Sequence, residues 1–165
     1  ARGLIYIPHL RGAGPPQPDP SSRGALLGLR DYHGKRHMFR AILEGLALEF
    51  AYIVRGVEES VGVEIPSLCA IGGGTKNRLL MEIKAAVLNR PIEVPYVQES
   101  TLLGAALLGG VGVGAYKDGQ EAIDATYRIQ QIHEPKAELV EQYEGLYDTY
   151  CRVMPLVREI GKVMS

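Results

Sequence analysis

With 165 residues, the chain is long enough for one domain with its own hydrophobic core. Its 46% hydrophobic content excludes a disordered or fibrous protein. A formal net charge of −1, with both signs mixed along the sequence, excludes the basic footprint of a nucleic-acid or anionic-membrane binder.

Taken in chain order, Gly3-Leu4-Ile5-Tyr6-Ile7 carries β-branched and aromatic weight and predicts a strand. The prolines at 15, 16, 18 and 20, set among glycine and Asp19, predict a loop without regular structure. Gly24-Ala25-Leu26-Leu27-Gly28-Leu29 predicts a second strand, which with the first forms a hairpin or meander added to the main sheet.

From residue 37 to 61 the period becomes helical. Phe39, Leu43, Leu46, Phe50, Ile53, Val57 and Val61 are expected on the buried face. Arg40 with Glu44, and Arg55 with Glu59, are spaced to pair on the exposed side. Residues 65–71 predict a buried strand running into Gly72-Gly73-Gly74. A helix follows over residues 76–88, with Leu79, Leu80, Ile83 and Val87 inward, and then a short strand at Ile92-Glu93-Val94.

Ser100 is the expected N-cap of a glycine- and alanine-rich helix. Residues 102–113 form the longest apolar run, but it is too short and too broken by glycine to cross a bilayer. Asp118 and Glu121 have capping-box spacing for a helix through Ile129. Pro135, as a first helical residue, opens a last helix bearing Leu139, Tyr143, Leu146, Tyr150, Val153, Val157 and Ile160, and Pro155 is expected to kink or divide it. Strand, helix, strand and helix in succession imply a parallel pair with helices packed on the sheet.

The chemistry-bearing stretch is Gly72-Gly73-Gly74-Thr75-Lys76-Asn77. Glycines put no side chain between backbone and ligand, and a helix start offers unpaired N–H groups at the positive end of its dipole. Thr75 and Asn77 add a hydroxyl and an amide. Two readings stay open on these residues alone: a nucleotide-binding turn, or a plain strand-to-helix turn capped by Thr75. The stretch is neither a Walker A loop nor a GxGxxG fingerprint.

His9, His33, His37 and His133 are scattered without ligand spacing, so no metal site is expected. No serine stands in a nucleophile elbow. Glu44 reads as a solvated or paired residue, and Tyr143, Tyr147 and Tyr150 as packing residues. Cys69 and Cys151 read as small buried residues with free thiols. With no secretory signal at the start, a cytoplasmic protein is expected.

Three blocks, in this order, resemble the C-terminal domain of the FGGY family of carbohydrate kinases. The first is Gly3-Leu4-Ile5-Tyr6-Ile7-Pro8-His9-Leu10, leading through Asp19-Pro20 to Arg23-Gly24. The second is Gly24-x-Leu26-x-Gly28-Leu29 followed by His37-Met38-x-x-Ala41-Ile42-Leu43-Glu44. The third is the stretch from Gly72 to Asn77, followed by Thr101-Leu102-Leu103-Gly104-Ala105-Ala106. One departure is Gly12-Ala13-Gly14, where the family usually has a Gly-Glu-Arg-like triplet.

The resemblance implies an α/β fold: an actin-like, ribonuclease-H-like ATPase domain with a mixed sheet and helices on both faces. It further implies that residues 1–165 form the nucleotide-binding C-terminal domain of an ATP-dependent kinase using Mg²⁺, which transfers the ATP γ-phosphoryl group to a sugar hydroxyl, with a ketopentose such as xylulose as the expected sugar. Gly72, Gly73, Gly74, Thr75 and Asn77 become the cofactor-binding residues, with Gly73 and Gly74 near the α-phosphate and ribose and Asn77 at the base. The helix at residues 104–108 is expected behind that pocket.

Family members are much longer, and their catalytic Asp, sugar pocket and metal environment lie upstream. No catalytic or metal-binding residue is therefore assigned to this chain, and alone it is expected to be inactive as a kinase. Its expected partners are ATP and, through the missing N-terminal domain, the sugar. Apolar surface exposed at that boundary makes self-association a reasonable expectation. The alternative function is a noncatalytic nucleotide-binding or oligomerisation module with the same fold.

Overall fold

A computed structural model describes residues 1–164. The elements run β1 (Ile5–Ile7), β2 (Ala25–Leu27), α1 (Lys35–Val61), β3 (Leu68–Cys69), a 3-10 turn (Gly73–Lys76), α2 (Arg78–Leu88), β4 (Ile92–Pro95), α3 (Ser100–Gly112), α4 (Gly119–Thr126), β5 (Ile129–His133) and α5 (Ala137–Val163). β3 and β4 are parallel, as a strand–helix–strand unit requires, and β5 adds antiparallel to β4, making a mixed sheet in the order β3-β4-β5.

β1 and β2 pair antiparallel with Tyr6 opposite Leu26, but as a separate two-stranded ladder and not as an extension of the main sheet. Where the sequence predicted helix through Ile129, α4 stops at Thr126 and β5 begins. Tyr127 turns to extended backbone, and Ile129 and Ile132 enter the β4 ladder opposite Pro95 and Glu93. β5 lies at the sheet edge and is mostly exposed, which suits its paired glutamines better than a central strand would.

Alternation along β3 supplies both faces of the sheet. Leu68 and Ala70 pack with Met81 and Ala85 of α2 and Ile92 of β4. Cys69 and Ile71 line a groove with Leu103 and Leu107 of α3 and Ile123 of α4. The larger core lies between β1, α1, α2 and α5, where Ile7, Leu48, Ala51, Ile83, Tyr143, Tyr150 and Val157 meet.

The buried face of α1 differs from the predicted one. Phe39, Leu46, Val57 and Val61 are exposed, while Ala41, Glu44, Gly45, Ala47, Leu48, Ala51 and Val54 are buried. Close approach is the reason: a Cβ at Gly45 would stand 2.2 Å from the carbonyl oxygen of Tyr6, so β1 lies directly on the small-residue side of the helix. On α2, Ile83 and Val87 are inward as expected, but Leu79 is exposed and Met81 takes its place.

The buried face of α1 also carries charge. Arg40 Nε meets Glu44 Oε1 at 2.7 Å, yet Glu44 is buried, so the pair faces Tyr143 of α5, whose hydroxyl donates to the same oxygen at 3.2 Å. Burial, with the Glu44 charge beside it, pushes the Tyr143 hydroxyl up to about 12. Arg55 is half-buried and lies over the ring of Tyr147, 3.9 Å from its centre.

Further along α1, Glu49 accepts from Tyr150 at 2.5 Å and lies 3.3 Å from His9, whose other ring nitrogen meets Ser22 at 2.7 Å. These contacts tie the proline-rich loop to α1 and α5.

α5 is not divided at Pro155: the helix is continuous, with Tyr150, Met154 and Val157 buried on both sides of the proline. It begins at Ala137, with Pro135 just before it. Cys69 is exposed and Cys151 half-buried, and both are free, so neither thiol has the full burial expected of it. Among the described residues, no helix is long and apolar enough to cross a membrane.

Candidate functional site: the glycine turn after the third strand

The chain leaves β3 through Ala70 and Ile71 and enters Gly72 with φ +82°, a left-handed conformation that disfavours any side chain. Gly72 N–H donates to the Gln98 carbonyl at 3.2 Å, fixing the turn to the segment after β4. Residues 73–76 then form a single 3-10 turn, and α2 starts at Arg78.

Thr75 is buried, and its hydroxyl donates to the Gly72 carbonyl at 2.7 Å, so the side chain closes the turn on itself. It is Asn77, not Thr75, that caps α2: Asn77 Oδ1 accepts from Leu80 N–H at 3.1 Å. Asn77 itself is exposed. Gly73 and Gly74 are exposed, and a Cβ built on either would meet nothing within 4 Å.

The structure therefore gathers Gly72, Gly73, Gly74, Thr75 and Asn77 into one turn at the carboxyl end of a parallel strand. That is where open α/β sheets receive ligands. Two backbone positions lie open beside a helix N-terminus, whose N–H groups and dipole favour an anion.

A cavity of about 230 Å³ adjoins the turn. Gly74, Thr75, Ala70 and Ile71 form one side, and Phe50 of α1 with Met81 and Lys84 of α2 form the other. Phe50 was expected only on the buried face of α1, and Lys84 carried no expectation. The available signal was spacing: Asn77, Met81 and Lys84 lie four and three residues apart, on one face of α2. α3 lies across the opposite face of β3, where Leu103, Gly104 and Leu107 line a groove with Cys69 and Ile71.

Comparison with known proteins agrees with this fold. Residues 1–113 match the FGGY family of carbohydrate kinases, C-terminal domain. A glycerol kinase of Nitratidesulfovibrio vulgaris is 36% identical over 146 residues, covering 88% of this chain and 29% of that protein. The crystal structure of ligand-bound xylulose kinase from Lactobacillus acidophilus superposes with a TM-score of 0.89 at 25% identity, covering 99% of this chain and 33% of that one. Plasmodium falciparum glycerol kinase with ADP superposes at 0.76 and 26% identity, covering 92% and 31%.

The chain belongs to the FGGY family of carbohydrate kinases and has the actin-like fold of that family's C-terminal domain. It spans about a third of the length of these relatives.

Proposed function

We propose that this chain is the adenine-nucleotide-binding part of an ATP-dependent carbohydrate kinase. The observation that carries the reading is the pair of open backbone positions at Gly73 and Gly74, set at a strand end beside the α2 N-terminus. Phosphate and ribose would lie against these glycines. Thr75 would hold the turn, and the free amide of Asn77 would face the base. The ADP named for the Plasmodium glycerol kinase supports the same ligand class.

The parent enzyme transfers the γ-phosphoryl group of ATP, carried with Mg²⁺, to a hydroxyl of a small polyol or ketose. The similar proteins include a glycerol kinase and a xylulose kinase, so both acceptors are candidates, with a ketopentose such as xylulose our first choice. Phosphoryl transfer also needs a base for the acceptor hydroxyl and a clamp for the metal–phosphate complex. We assign neither to the residues of this turn, and the 165-residue chain alone is expected to bind nucleotide without turning it over.

Calorimetric titration of ATP and ADP into the chain, together with a coupled kinase assay on glycerol and xylulose, tests this. Binding without turnover is the expected result. Absence of binding removes the nucleotide reading, and turnover removes the claim that the catalytic machinery lies elsewhere.

A further inference from the structure

Lys84 is the one charged side chain among the described residues that line the cavity beside the glycine turn. No carboxylate among those residues lines it, and Phe50, Met81, Gly74 and Thr75 are among its walls. The ammonium stands 4.3 Å from the centre of the Phe50 ring, and desolvation lowers its pKa below the ordinary lysine value. A ring face is a weak partner for a cation taken partly out of water, worth about 0.5–2 kcal/mol, and it neutralises no charge. By contrast, Arg78 of α2 pairs with Glu82, and Arg40 of α1 with Glu44.

Resting on the nucleotide reading above, we propose that Lys84 is a further binding residue of the site, its ammonium meeting a phosphate oxygen of a nucleoside polyphosphate seated against Gly74 and Thr75. The geometry supplies three features. The cavity opens on the turn whose glycines admit a ligand. It holds a single positive charge without a counter-ion. Its remaining walls are mostly apolar, so an anion placed there meets a partner that water screens less than at an open surface. Lys84 and Asn77 lie on one face of α2, which lets one extended ligand reach both.

The test titrates ADP, adenosine and pyrophosphate into the full 165-residue chain at low and moderate salt. Variants are Lys84→Met, which keeps the stem over Phe50, and Lys84→Arg, which keeps the charge. Lys84→Met should weaken ADP binding roughly tenfold, the worth of one charge-assisted hydrogen bond, and leave adenosine unchanged. Lys84→Arg should recover most of the loss, and the salt dependence of ADP binding should fall in Lys84→Met.

ADP binding equal in Lys84→Met and the wild type overturns the Lys84 assignment while the glycine-turn reading survives. A wild type that binds neither ADP nor adenosine overturns both. Pyrophosphate binding as tightly as ADP overturns the nucleoside part of the assignment. If Lys84→Met does not fold, the Lys84 ¹³Cε resonance of the wild type decides: a shift with ADP and not with adenosine is expected, and no shift overturns the proposal.

Discussion

The hydroxyl of Tyr150 donates to Glu49 Oε2 at 2.5 Å, and through this contact the middle of α5 is tied to the middle of α1. Burial raises the Glu49 carboxyl, but hydrogen bonds from His9 and Tyr150 outweigh it, so its pKa lies below the ordinary value of 4.5. A depressed carboxylate contributes stability that is fully present above its unfolded pKa and is lost as pH falls through its folded pKa. Thermal stability should therefore decline as the solution is acidified below about pH 4.5. Glu49→Gln should flatten that decline, measured as Tm against pH from roughly 6 to 3. Tyr150→Phe should cost about 1–3 kcal/mol near neutral pH by leaving a largely buried carboxylate short of a donor. An unchanged denaturant midpoint would show that the contact carries no weight.

Gly45 offers a second, purely steric test. On helix propensity alone Gly45→Ala should stabilise α1 by roughly 1 kcal/mol. Its Cβ, however, would stand 2.2 Å from the Tyr6 carbonyl oxygen, which is backbone and cannot swing away. β1 would have to move off the helix, so the expected sign reverses, to a net loss of about 1–3 kcal/mol by urea denaturation. The same substitution at Gly145, inside α5 where a Cβ meets nothing within 4 Å, is the control and should stabilise by roughly 1 kcal/mol.

That reversal explains how much of the fold could be read in the sequence. Large side chains drew the predicted face of α1 through Phe39, Leu46 and Val57, whereas the helix buries its small residues because β1 lies against them. Size-weighted periodicity cannot tell a face that packs on backbone from one that packs on side chains. β5 escaped notice for a related reason: an edge strand needs little apolar content, and Gln130 and Gln131 carry no strand preference of their own. The glycine turn was legible because its requirement is local. Gly72 needs φ +82°, and a polar residue must start α2. Which residue caps was not legible, since Thr75 and Asn77 both suit the role, and the intervening 3-10 turn moves the helix start from residue 76 to 78. Lys84 lay hidden within the apolar face that it interrupts.

Within the turn, the three glycines should separate folding from binding. Gly72→Ala forces a side chain into a left-handed backbone and should destabilise by about 1–3 kcal/mol. A Cβ at Gly73 or Gly74 meets nothing within 4 Å, so Gly73→Val and Gly74→Val should leave melting temperatures within a few degrees of wild type. A nucleotide brought against the backbone would meet the valine branches, and ADP affinity should fall at least tenfold, read by calorimetry. ADP affinity unchanged in both valine variants would place the ligand away from this turn.

On the proposed reading Asn77 has two separable jobs, because its Oδ1 is engaged with Leu80 N–H while its amide is not part of that bond. Asn77→Ala removes both and should cost about 1 kcal/mol of stability along with affinity. Asn77→Asp keeps an oxygen acceptor for Leu80 N–H and strengthens the cap by placing a negative charge at the helix N-terminus. It also deletes the amide donor proposed to face the base. Stability should hold or rise slightly in Asn77→Asp, while adenosine, which has no phosphate to be repelled by the new charge, should bind several-fold more weakly. Adenosine is the informative ligand for that reason: loss of ADP affinity alone would report repulsion between two anions. Asn77→Asp binding adenosine as the wild type does would reduce Asn77 to a helix cap and leave the base to be held by other residues.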